Sequence, residues 1–214
     1  MDAKIKQLLE KALTKADVTN ARGTSLVDDA VRLCGRVHAF MHMKILPAEI
    51  DLAPLEIACY ALQFPLKQQK MLPTGKLGRS NLKDRAEQAA EILVAGFARE
   101  IDGPLLDRTT QLLQALPQRN PPMDEARLLA DVVNLDDFGI TGLLLQTVML
   151  SRAGGSVTQV GDGLEKREQY GYWGARLKEG FHFEPIREIA RRRLEHTRQA
   201  AALLSDEIKE DRGV

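Results

Sequence analysis

Aromatic side chains are scarce: one Trp, three Tyr and six Phe in 214 residues. So few rings leave little platform for stacking unpaired bases. Net charge is missing as well, because 30 Lys and Arg balance 30 Asp and Glu. The chain as a whole therefore exerts no electrostatic pull on nucleic acid or an anionic membrane. There is no run of about 18 apolar residues, so no segment is expected to span a bilayer. The opening Met1–Lys6 lacks the continuous apolar core of a signal peptide. Cysteine is limited to Cys34 and Cys59, both inside apolar periodic segments. They read as two buried thiols in a reducing, cytoplasmic setting rather than as a disulfide or a metal site.

Strand patterning is also wanting. Val157–Val160 is too short to found a sheet, and no repeat or low-complexity tract appears. What is there is helical periodicity. Ile5, Leu8, Leu9, Ala12 and Leu13 mark a first helix over 2–16, and Leu26, Ala30, Leu33, Val37 and Phe40 a second over 25–43, capped by Thr24 or Ser25. A third helix is expected over 52–64, ended by Pro65, followed by a loop over 65–81 that holds Lys76 and Arg79. Helices over 82–99, 102–116 and 123–152 follow, the last bent near Asn134 to Gly142. A loop over 153–163 then leads to helices over 164–179 and 185–209. The expectation is one all-α domain over 1–214, a bundle of about eight helices. Within it, 1–20 holds an N-terminal helix, 20–152 a core, and 164–209 closing helices packed on that core.

The most informative stretch is Glu125–Gly142, which contains Leu128-Leu129-Ala130-Asp131, Leu135-Asp136 and Gly139. It resembles the last motif of the HD-domain metal-dependent phosphohydrolases, Leu-Leu-x-Asp-Ala-Asp-x-Leu-Asp-x-x-Gly. Earlier segments fit that family's helical frames. Asp29–Val37 is similar to its first helix, with Asp29 (or, in a second register, Leu33) where a His would stand. Ala58–Pro65 matches the frame of its His-Asp motif, with Leu62 and Gln63 in place of that pair. Arg85–Ala90 matches a later His-containing segment, with Arg85 in place of the His. Tyr172–Leu177 and Phe183–Leu194 look like the closing helices of many such proteins. The likeness runs over about 20–208 in order and spacing, and only 125–142 is specific.

The resemblance implies an HD-like helical fold and, in intact members, one or two divalent metals held by imidazole and carboxylate. Such a metal lowers the pKa of a bound water toward ~7, and the hydroxide attacks phosphorus. At the corresponding positions this chain has Asp29, Leu62, Gln63, Arg85 and Asp131. Leucine has no lone pair, and a neutral glutamine oxygen is a weak ligand for a transition metal. The expectation is thus a degenerate HD-domain protein, a pseudoenzyme without cofactor, that binds a nucleotide-like small molecule or another protein and has the potential to form a homo-oligomer. Nucleic acid and membrane are not expected partners. The alternative is an active phosphohydrolase acting on a nucleotide or other phosphoester with a relocated site. There Mg²⁺ or Mn²⁺ would sit on Asp29 and Asp131, helped by His38 or Glu56.

Other candidates carry a plainer reading beside the functional one. Arg32, His182, Arg187 and Arg191 are candidate ligand contacts, and Arg187 and Arg191 are spaced to clamp a phosphate. Glu184, Glu188 and Glu195 interleave with those arginines, the pattern of an ion-paired surface helix. His38 and His42 share a helix face but lack the glutamate of a zinc-protease motif. Asp131, Asp136 and Asp137 also suit a simpler task, tying down the bend before Gly139.

Overall fold

The computed structural model describes residues 1–14, 25–45, 50–67 and 81–211. Among these every regular element is helical and there is no strand. No described helix is long and apolar enough to cross a membrane. The chain divides into two compact units, Met1–Val132 and Val133–Val214. The division falls inside the 20–152 stretch read from sequence as one core.

The first unit holds α1 (Ala3–Thr14), α2 (Leu26–His42), α3 (Leu52–Ala61), α4 (Phe64–Lys67), α5 (Leu82–Phe97), α6 (Gly103–Ala115) and most of α7 (Asp124–Asn134). Its centre is α3. Leu55, Ile57, Ala58, Cys59, Tyr60 and Ala61 are all buried. Apart from Glu56 this helix is apolar around its circumference and must be enclosed on most sides, and α3 packs against α1, α2, α5 and α6. Side-chain caps set the helix starts: Ser25 accepts from Asp28 N, Asp51 from Ala53 N and Asn81 from Asp84 N. Thr24, the other cap candidate, and Lys76 and Arg79 lie outside the described residues. Pro65 does not end α3. The helix stops at Ala61, and Pro65 sits in the first turn of α4, where its missing N–H costs nothing.

The second unit holds a 3₁₀ turn (Leu135–Asp137), α8 (Gly139–Arg152), α9 (Val157–Gln169), α10 (Tyr172–Glu179) and α11 (Glu184–Asp211). The bend expected near Asn134 is this 3₁₀ turn. It separates α7 from α8 because Gly139 adopts φ +84°, which a residue with a Cβ rarely adopts. The Gly139 N–H, lost to the helix ladder, donates to Thr197 Oγ1 on α11 at 3.0 Å. The loop expected over 153–163 is shorter than that, because α9 begins at Val157. Ser156 and Gln159 form a reciprocal capping box that starts the helix despite Gly161 and Gly163. The helix expected over 164–179 is two helices, broken at Gly171 with φ +65°.

Candidate functional site

Three of the five positions singled out by the HD-like motifs meet in space. Leu62 closes the C-terminus of α3, and Gln63 follows it; both are buried. The Gln63 Nε2 donates to the carbonyl of Cys59 at 3.0 Å. Arg85, in the first turn of α5, reaches across with Nε donating to the Leu62 carbonyl at 2.7 Å and Nη2 donating to Gln63 Oε1 at 3.3 Å. A helix C-terminus exposes unpaired carbonyls and carries partial negative charge. A guanidinium is well matched to that end, since it offers several donors in a fixed plane.

Asp29 and Arg32 lie on α2, one turn apart. Asp29 is 5% exposed, and Arg32 Nη2 contacts its Oδ1 at 2.7 Å. One further turn along, Arg36 Nη1 donates to the carbonyl of Val132 at 3.1 Å. The neighbour of Val132 is Asp131, which is fully buried on α7. So α2 presents an acid and two arginines at helical spacing, and the second arginine reaches the turn of α7 that carries Asp131.

A second polar cluster joins α2 and α3. His38 Nε2 lies 2.7 Å from Glu56 Oε1, and the Met1 amino group also pairs with Glu56. Burial pushes the Glu56 carboxyl up, yet the hydrogen bonds from the amino group and His38 outweigh it and hold it below its ordinary value. The Cys34 thiol donates to the Glu56 carbonyl at 3.7 Å, and the neighbouring Cys34 together with burial pushes the Cys59 thiol well up. Both cysteines are free thiols, Cys59 buried and Cys34 half-buried. Tyr60 donates to Glu10 Oε1 at 3.0 Å; burial and this bond push its phenol well up. His42 is exposed. Among the described residues, no three His, Cys, Asp or Glu side chains converge so as to hold a metal ion.

In the second unit, Asp137 at the bend works with partners that sequence reading missed. Arg176 Nη2 donates to Asp137 Oδ2 at 2.7 Å and to Asn134 Oδ1 at 2.9 Å, and Asn134 Nδ2 donates to the Gly180 carbonyl at 2.6 Å. The Tyr172 hydroxyl donates to Asp137 Oδ2 at 3.4 Å. Burial, then the Asp137 charge, push that phenol up. Only the charge complement of Asp137 and Arg176 hinted at this knot, and 39 residues separate them. Arg187 pairs with Glu184 and donates from Nη2 to the Phe181 carbonyl at 2.6 Å; Arg191 pairs with Glu188. Both arginines pair with the glutamates interleaved on their own helix. His182 is half-buried beside them in sequence. Arg32 belongs to the first unit, and His182, Arg187 and Arg191 to the second.

Compared with family models, with curated proteins and with solved structures, the chain matches none.

Proposed function

We propose that this chain is a degenerate HD-domain-like protein that binds a nucleotide-like small molecule or a protein partner on its helical frame and does not hydrolyse phosphoesters. The observation that carries the reading is the Arg85 guanidinium bonded to Leu62 and Gln63. In the family resembled, the corresponding positions supply a His-Asp pair and a further His to a divalent cation. Here Leu62 offers no side-chain lone pair, and the Gln63 amide oxygen already accepts from a fixed positive charge. That donor set does not fit a divalent transition metal, since a second cation beside a guanidinium would meet repulsion in a poorly screened site. Asp29, engaged by Arg32, is likewise partly neutralised.

The second reading is an active phosphohydrolase whose metal has moved to Asp29, Asp131, His38 or Glu56. In its favour stands the His38–Glu56 contact, an imidazole and a carboxylate side by side. Against it, the Glu56 carboxylate is shared with an amino group that a metal would have to displace.

One experiment separates them. Protein purified without chelator is assayed for bound metal, then screened against nucleoside mono- and triphosphates with Mg²⁺, Mn²⁺ and Ni²⁺. The proposal expects no stoichiometric metal and no turnover above background. Turnover that disappears in Asp131→Ala would sink it.

A further inference from the structure

The second unit carries a groove of about 430 Å³ between α9 and α11 that none of the foregoing uses. The volume lies at the lower end of the range typical of small-molecule sites. The two helices run antiparallel along it: Gly161 faces Ile208 near one end, and Glu168 pairs with Arg198 at the other. Leu164, Trp173, Ala201 and Ile208 give the groove an apolar lining, with Trp173 only 3% exposed.

Two features set its chemistry. The first is the missing side chain at Gly161. Glycine inside a helix is less favourable than alanine, because it loses more backbone freedom on folding. Among the described residues no contact demands it here, because a Cβ would meet only Ile208 Cδ1 at 3.8 Å, an ordinary contact. The absent side chain leaves the groove wall open at that point. The second feature is charge. Both cations on the rim are engaged by acids, Arg198 by Glu168 and Glu195, and Lys209 by Asp206. Among the described residues, Asp162 and Glu165, exposed on the α9 rim, form no ion pair with a basic side chain, and Glu165 Oε1 accepts only from the neutral Gln169 Nε2, at 3.0 Å. An apolar trough edged by uncompensated carboxylates complements a molecule with an apolar body and one positive head.

We infer that the α9–α11 groove is a binding site for a small amphipathic amine, its apolar part lying over Trp173 and Leu164 and its ammonium at Asp162 and Glu165. The inference is independent of whether the first unit descends from a phosphohydrolase.

Trp173 is the sole tryptophan of the chain, so its fluorescence reports on the groove directly. The full-length protein is titrated with octylammonium, octanoate and 1-octanol, which share one chain and differ in charge. Octylammonium is expected to change Trp173 emission saturably and to bind about three- to fivefold more tightly than octanol, the factor set by an exposed ion pair. Octanoate is expected to bind more weakly than octanol. Asp162→Asn combined with Glu165→Gln, both at exposed positions, should erase the preference for the ammonium and leave octanol binding unchanged. Gly161→Leu, which fills the groove while raising helix propensity, should weaken all binding at least tenfold. The inference is overturned by any of four results: no saturable change, equal binding of the three probes, a charge preference that survives the double substitution, or undiminished binding by a folded Gly161→Leu protein.

Discussion

At the residue scale, the contact between Arg85 and the end of α3 makes the clearest demand. Removing its donors leaves the Leu62 carbonyl and the Gln63 amide oxygen short of partners in a buried setting. Arg85→Met is expected to lower stability by about 1.5–3 kcal/mol, the usual range for hydrogen bonds from a charged group, read as a shift in urea midpoint. Gln63→Leu combined with Arg85→Met should cost less than the two single changes summed, because the pair is removed together. Two further residues make pH predictions of opposite sign. The Glu56 carboxyl is held below its ordinary 4.5 in the folded protein. Its contribution is complete above that value and fades as pH falls through the depressed one. Thermal unfolding of Glu56→Gln and the parent should therefore differ at pH 6 and converge on acidification below about 4.5. Tyr60 works the other way. Its phenol is raised above an ordinary 10.0, so its contribution is full below pH 10.0 and is lost as pH climbs toward the raised value. Tyr60→Phe should flatten the alkaline limb of the stability profile, leaving the part due to Tyr172, whose phenol is also raised.

At the scale of the element, glycine and capping residues decide where helices start and stop. Gly142 has no room for a side chain, since a Cβ would lie 2.6 Å from the Asp136 carbonyl oxygen in the 3₁₀ turn. Gly142→Ala should destabilise by about 2 kcal/mol or more, comparable to overpacking a core, and more than Ser156→Ala, which removes one cap at about 1 kcal/mol. Thermal denaturation ranks the two. Helices α1, α2, α5 and α6 were legible in the sequence because apolar residues recur at helical spacing, and Ser25 offers a cap to α2. The start of α9 was not, because Gly154, Gly155, Gly161 and Gly163 give the stretch a loop-like composition. The capping box at Ser156 and Gln159 outweighs them locally, and contact with α10 and α11 supplies the burial.

At the scale of the whole molecule, the balance of charge is the governing property. With 30 acids and 30 bases and an isoelectric point near 6.9, little net repulsion keeps molecules apart at neutral pH. Solubility at low ionic strength is expected to pass through a minimum near pH 7 and to rise on adding salt or moving the pH by a unit or two, as turbidity would show. The all-helical character and the apolar α3 followed from the sequence alone, because periodicity and side-chain transfer energy are local properties of the chain. The identity of polar partners did not. Arg85 reads from sequence as a replaced ligand, and only folding brings it to Leu62 and Gln63, 22 to 23 residues away. His38 and Glu56, 18 residues apart, and Asp137 and Arg176, 39 apart, meet for the same reason. A hydrogen bond acts over about 3 Å, so which donor finds which acceptor depends on how helices pack, a non-local outcome that no spacing along the chain encodes.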